Sequence, residues 1–185
     1  NFKAGLAKLQ ADPINLGRTS LEGKLDNRQL LMDFSSYDGN EKITHLASEM
    51  TLARDTTLLH INPHGLIFNK KEWTIPDDNR ISFSENFLEF SNVTLERNSQ
   101  KLSLASVASE TEDKSLRLSF EQFKLQTFLG MLNPDRPLAS GLTNGSFTIE
   151  NLFGGAGIVA DFNVSDLEIL EQALGNLSLN ANSNT

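Results

Sequence analysis

The side chains that could do chemistry in this 185-residue chain are few and mostly lie among turn formers. Of the three histidines, only His60 and His64 have the i, i+4 spacing with which two imidazoles bind zinc from one helix face; His45 stands apart. Asn62-Pro63 falls between them and would destroy that helical geometry, so the spacing predicts a turn and no metal site. Asp77-Asp78 and the group Glu110, Glu112 and Asp113 could be imagined as the carboxylates of a glycoside hydrolase. Both fall in turn-rich contexts without an aromatic pocket and are expected to be solvated loop acids. There is no Gly-x-Ser-x-Gly elbow, phosphate loop or dinucleotide fingerprint, and Gly154-Gly155-Ala156-Gly157 reads as a turn into a strand. Trp73 could stack on a sugar, but its alternation with Ile75 predicts a core or groove-edge anchor. Asn92, Asn144, Asn163 and Asn176 open Asn-x-Ser/Thr triplets, glycan acceptors in a eukaryotic secreted protein and expected here to be chance matches. The reading is therefore of a non-enzyme with no catalytic residues, no metal and no cofactor.

The elements that position these residues are strands. From Trp73 to Ala105 short amphipathic runs alternate with turns: Trp73 and Ile75, then Pro76-Asp77-Asp78-Asn79, then Ile81 and Phe83, then Glu85-Asn86. Leu88 and Phe90 share one parity, Val93 and Leu95 the other. This predicts one long strand with a bulge near Ser91-Asn92 that keeps a single apolar face. Arg97-Asn98-Ser99-Gln100 turns back, and Leu102 and Leu104 continue the face. Leu21 and Leu25, then Leu30, Met32 and Phe34, predict a hairpin; Ile43 to Leu52 alternates with one parity change between Ile43 and Leu46. Leu59 and Ile61 precede the turn Asn62-Pro63-His64-Gly65. Leu116, Leu118 and Phe120 give the cleanest alternation, and Ala156, Ile158, Ala160, Phe162 and Val164 fall on one face. Phe2, Leu6 and Leu9 fit a helix or a frayed strand. Gln126 to Leu132 predicts a short helix stopped by Asn133-Pro134, Ser106 to Ser115 a polar loop, and Leu167 to Leu174 a helical turn.

Strand signals thus recur along the whole chain, which makes the class all-β, one domain over 1–185. The chain has no cysteine, which excludes a disulfide framework. Its net charge of -8, with lysine and arginine scattered, lacks the footprint that phosphate backbones require, so no nucleic acid partner is expected. No stretch approaches the ~20 apolar residues of a membrane-spanning helix. The chain starts without methionine or signal pattern and ends in mid-alternation, and it reads as a fragment of a longer protein.

The order of these units resembles one family. A strand ending in a lone Trp, an "I-x-F" strand, a longer strand of alternating residues, a polar turn and "KLSLAS" are similar to the TamB family of AsmA-like proteins. Phe123 to Pro134, followed by Leu138-Ala139-Ser140-Gly141-Leu142 and Gly145-Ser146-Phe147, is similar to that family's unit of apolar strand, short helix, proline turn and "L-S-G-x-L-x-G". The likeness covers Leu66 to Leu179. It implies an elongated, curved, mostly antiparallel sheet folded into a taco-like groove with an apolar concave face, plus one short helix. It also implies a periplasmic place in a Gram-negative-type bacterium, within a protein anchored in the inner membrane. The cargo would be phospholipid acyl chains or nascent β-strands of outer-membrane proteins, and the partner an outer-membrane barrel assembly factor. On that reading the groove is lined by Leu88, Phe90, Leu102, Leu104, Leu116, Leu118, Phe120, Ile158, Phe162, Val164, Leu177 and Leu179. The rival readings are a structural or adhesive β-solenoid or sandwich with a closed core, and a carbohydrate-binding module.

Overall fold

The structure, a computed structural model, describes residues 1–108, 114–153 and 157–183. Among the described residues seventeen strands run in chain order: β1 (Phe2–Leu6), β2 (Leu9–Ala11), β3 (Ile14–Leu16), β4 (Thr19–Asp26), β5 (Gln29–Asp38), β6 (Glu41–Ala53), β7 (Thr56–Ile61), β8 (Ile67–Phe68), β9 (Lys71–Glu72), β10 (Arg80–Ser84), β11 (Phe87–Ser91), β12 (Val93–Arg97), β13 (Gln100–Ala108), β14 (Lys114–Lys124), β15 (Ala139–Glu150), β16 (Gly157–Ile169) and β17 (Gln172–Ser183). The helix α1 is a single turn, Gln126–Leu129. The fold is all-β, and every pairing among the described strands is antiparallel.

The strands form two large open sheets. The first has the order β1-β4-β5-β6-β7-β10-β11, with the β8–β9 hairpin continuing the edge of β6 beyond β7; the second runs β12-β13-β14-β15-β16-β17. β2 and β3 make a separate hairpin. The expected single strand through Ser91-Asn92 is instead two strands in two sheets: β11 pairs with β10 and β12 with β13. Asn92 turns the chain between them with φ of 54°, and its side-chain amide donates to Asp78 Oδ2 at 2.6 Å. The parity change therefore marks a passage from sheet to sheet, with the inward face kept on both sides. The sheets stay connected along this seam, where Phe90 N–H donates to Ser106 Oγ at 3.0 Å and Thr74 pairs with Glu96.

Other expectations need correction. Of the two readings open for Phe2 to Leu9, helix or strand, the structure takes the strand, in β1 and β2. Between Leu167 and Leu174 there is no helix: β16 runs to Ile169, Leu170 and Glu171 turn with positive φ, and β17 starts at Gln172. Leu167, Leu170 and Leu174 imitate helical spacing there because they lie on β16, in the turn, and at a register shift of β17 between Ala173 and Gly175. The helix expected to reach Leu132 ends at Leu129, and Trp73 lies just past β9 instead of within a strand. The polar loop expected over Ser106 to Ser115 narrows, since β13 runs to Ala108 and β14 starts at Lys114; Glu110, Glu112, Asp113 and Gly154 to Ala156 lie outside the described residues.

Asn79 shows how a turn residue sustains a strand end. It is 2% exposed, accepts from Ile61 N–H at 2.9 Å, and donates to the carbonyls of Ile61 and Pro76 at 2.8 and 2.7 Å. Its amide thus stands in for a neighbouring strand where β7 ends. Asn79→Ala leaves these backbone groups unmatched and is expected to cost about 2–3 kcal/mol, read as a lower urea midpoint with an unchanged slope.

Candidate functional site

Residues directly opposite one another on antiparallel strands share a face, so the register alone defines the surfaces. In the second sheet one row runs Leu95, Leu102, Phe120, Gly145, Phe162, Leu179. The next runs Val93, Leu104, Leu118, Phe147, Ala160, Ala181, and beyond it Leu116, Ile149 and Ile158. On the other side of the first row, a bulge after Phe120, with Gln122 at φ 46° and its N–H on Asn144 Oδ1, returns Phe123 to the same face beside Thr143, Val164 and Leu177. Ten of the twelve groove candidates therefore occupy one face of one sheet: Leu102, Leu104, Leu116, Leu118, Phe120, Ile158, Phe162, Val164, Leu177 and Leu179. Gly145, at φ 116°, sits between Phe120 and Phe162. A Cβ there would fall 2.2 Å from the Asp161 carbonyl oxygen, so glycine allows this close approach of β15 and β16.

The other two candidates, Leu88 and Phe90, belong to the first sheet. They stand opposite Phe83 and Ile81, and that face continues through Leu59, Met50, Leu30 and Leu25, with Met32, Phe34 and Leu46 alongside. Most of this second apolar face was absent from the sequence-based lining, although the alternation of Leu30, Met32 and Phe34 carried the signal. The two faces meet in one cluster. Leu66, Trp73, Ile75, Val93, Leu102 and Phe123 are buried, and Leu46, Ile61, Ile81 and Phe90 from the first sheet pack against them together with Leu95, Leu104, Leu118 and Phe120 from the second.

Burial falls away from this cluster. Val93 is 4% and Leu102 9% exposed, Leu104, Leu118, Phe120 and Phe162 are half-buried, and Ile158, Leu177 and Leu179 are exposed at 40% or more. On the first sheet Leu25 reaches 64% and Leu52 53%. At the opposite end the segment after β14 crosses between the sheets. Asn133 Nδ2 donates to Pro13 O at 2.7 Å, Asn15 N–H to Leu132 O at 2.9 Å, Asn69 Nδ2 to Gln126 O at 2.9 Å, and Thr44 Oγ1 to Met131 S at 3.0 Å. Phe128 of α1 stacks edge-on to Phe68 at 4.9 Å.

The residues with chemical potential hold backbone in place. His45 lies between two acceptors, Gly65 O at 2.5 Å and Asp33 Oδ2 at 2.9 Å, and His60 Nδ1 meets Asn79 O at 2.9 Å. Both rings tie loops to the first sheet. Asp78 anchors Asn92, and Asn176 Oδ1 accepts from Asp166 N–H at the β16 bulge. Trp73 is 4% exposed, 5.9 Å from the Phe123 ring, so its flat faces are committed to the core and a sugar platform is ruled out. A concavity of about 920 Å³ on the polar face of the first sheet includes Lys3, Glu22, Asp33 and Glu49, whose charges are engaged locally by Lys3–Glu22, His45–Asp33 and Gln29–Glu49 contacts. Lys70 hydrogen-bonds Glu41, with Asp38 behind it, and these carboxylates hold its ammonium above the ordinary value of 10.5 at the surface. No family model, curated protein or solved structure matches the chain.

Proposed function

We propose that this chain is a non-enzymatic, lipid-binding segment of a TamB-like envelope protein, whose two apolar sheet faces form a groove for acyl chains. One observation carries the reading. The facing apolar rows continue past the packed cluster into half-buried and exposed leucine and phenylalanine, where a closed sandwich would bury them. Exposing an acyl chain of ~16 carbons to water costs on the order of 12 kcal/mol at ~0.8 kcal/mol per methylene. An apolar trough between two membranes cancels most of that barrier and leaves the headgroup wet. The resemblance adds the setting: the periplasm, an inner-membrane anchor, transport of phospholipid between the membranes, and an outer-membrane barrel assembly factor as partner. Nascent β-strands of outer-membrane proteins are the alternative cargo; for them β17 is the observation in favour, a twelve-residue edge strand without a charged side chain.

Photo-crosslinking in the bacterial periplasm tests the reading. A photoreactive residue at Leu118 is expected to capture phospholipid, while Arg117, exposed on the opposite face beside Thr148, captures none. Captured polypeptide would shift the assignment to strand chaperoning, and intramolecular products alone would establish a closed core.

A further inference from the structure

Among the described residues the paths of the two large sheets end in four strands, and three of them are guarded against a further strand. β1 is five residues long and carries Lys3 against Glu22; β11 is engaged at the seam, where Phe90 N–H meets Ser106 Oγ; β12 holds Glu96 and Arg97 and pairs through Glu96 with Thr74. The fourth, β17, has none of these protections. It is twelve residues long without charge or proline, residues 172–180 are all exposed, and from Leu177 to Ser183 it keeps an unbroken register along β16. An antiparallel strand turns the N–H and C=O of alternate residues to opposite sides, so the side of β17 away from β16 is an open ladder. On the apolar face of the sheet the same strand leaves Leu177 and Leu179 45% and 40% exposed.

The sequence along that ladder reads the same in both directions. Asn176-Leu177-Ser178-Leu179-Asn180 is a palindrome about Ser178, flanked by the small residues Gly175 and Ala181. If the strand meets a second copy of itself antiparallel, about a twofold axis at Ser178, Leu177 stands opposite Leu179 and Asn176 opposite Asn180, each twice. No other centre along β17 sets both leucines against leucine; with the axis at Leu177 or Leu179 the remaining leucine meets Gly175 or Ala181. Pairing about a residue also preserves parity. The leucines of both copies stay on one face, and the outward N–H and C=O groups of one copy meet those of the other. We propose that β17 is a homodimer interface, at which two copies of this chain join by antiparallel pairing about Ser178. Each copy carries a net charge of -8, and β17 is the one of the four edges that brings no charged side chain of its own into the contact. The twofold also closes the assembly: the joined sheet ends in β12 of each copy, whose charges oppose further addition. The palindrome spans about 17 Å at ~3.4 Å per residue, a small contact, so the dimer is a weak one. Nothing in it requires a lipid, and it stands independently of the acyl-binding reading.

The chain has no cysteine, so single cysteines test the register. Ser178→Cys, on the axis, faces its own counterpart at a Cα separation of about 4.5–5.5 Å, within disulfide reach. Asn182→Cys, on the same strand, stands eight residues from its counterpart, about 27 Å at ~3.4 Å per residue. Under mild oxidation Ser178→Cys is expected to form disulfide-linked dimer at least about tenfold faster than Asn182→Cys. Sedimentation velocity of the unmodified chain is expected to show monomer when dilute and dimer on approaching about 1 mM, the range of weak contacts. Leu179→Lys, at an exposed position, is expected to keep the parent's circular dichroism and lose the dimer. Monomer up to that concentration would overturn the proposal, and so would oxidation of Asn182→Cys as fast as that of Ser178→Cys. A dimer that survives Leu179→Lys would overturn it as well, since the contact would then lie on another surface.

Discussion

Phe123→Ala should destabilise the protein by about 3–5 kcal/mol, the largest effect expected from a single truncation here. The ring is 2% exposed and lies 5.9 Å from Trp73, 5.8 Å from Phe120 and 5.4 Å from Phe128. It joins three parts of the molecule: Phe120 belongs to the second sheet, Phe128 to the crossing segment, and Trp73 to the stretch between β9 and β10. Removing it leaves a cavity walled by rigid rings that cannot collapse inward, which places the cost high in the usual range. For a domain of this size the loss corresponds to roughly 10 °C in melting temperature, with Trp73 fluorescence shifted to the red. Phe153, 53% exposed, supplies the control: its truncation should change stability by less than about 0.5 kcal/mol. Equal effects at the two positions would mean that the aromatic cluster does not organise the fold.

How much of this was legible in the sequence follows from what a local pattern encodes. Alternation places a side chain on a face, and Leu102, Leu104, Leu116, Leu118 and Phe120 could be assigned to one side without any structure. Parity changes were legible too. The one between Ile43 and Leu46 corresponds to an extra residue, since Ser36 opposes Thr44 while Tyr37 opposes Lys42. Pairing was not legible, because it depends on residues far away. At Asn92 the pattern reads the same for a bulge within one strand and for a passage between sheets, and the hydrogen bond that the Asn92 amide donates to Asp78 belongs to the passage. The bonding role of asparagine was not legible. Asn79, Asn144 and Asn176 supply side-chain amides to strand ends and bulges 10 to 22 residues away, a role that triplet matching cannot detect. The leucines from Leu167 to Leu174 failed differently: they straddle a hairpin turn at Leu170 and a register shift at Leu174, and a turn between two strands can resemble a helix in spacing alone.

Phe162 and Val164 allow the sharpest separation of an open groove from a closed core, because they are two residues apart on β16 and share a face. Val164 is 4% exposed, its Cγ1 2.7 Å from where a Cβ on Gly141 would stand; Phe162 is half-buried. Val164→Asp puts a carboxylate out of reach of solvent, in the row of Phe123 and Thr143. A buried unpaired charge costs several kcal/mol, enough to unfold a domain of ordinary stability. Phe162→Asp is expected to leave the sheet formed, since the new carboxylate can turn to water, and the far-UV circular dichroism of the variant should match the parent. What it should lose is acyl binding. If the faces take an acyl chain as proposed, a charge among them forces the methylenes to displace its hydration, and immobilisation of a nitroxide-labelled fatty acid, read by electron paramagnetic resonance, should fall by at least about tenfold, the equivalent of ~1.4 kcal/mol. If Phe162→Asp unfolds the protein as Val164→Asp does, the interior is closed at both positions and the structural reading prevails. If it folds and binds fatty acid as the parent does, the acyl path does not pass β16, and the apolar face there must be covered in some other way.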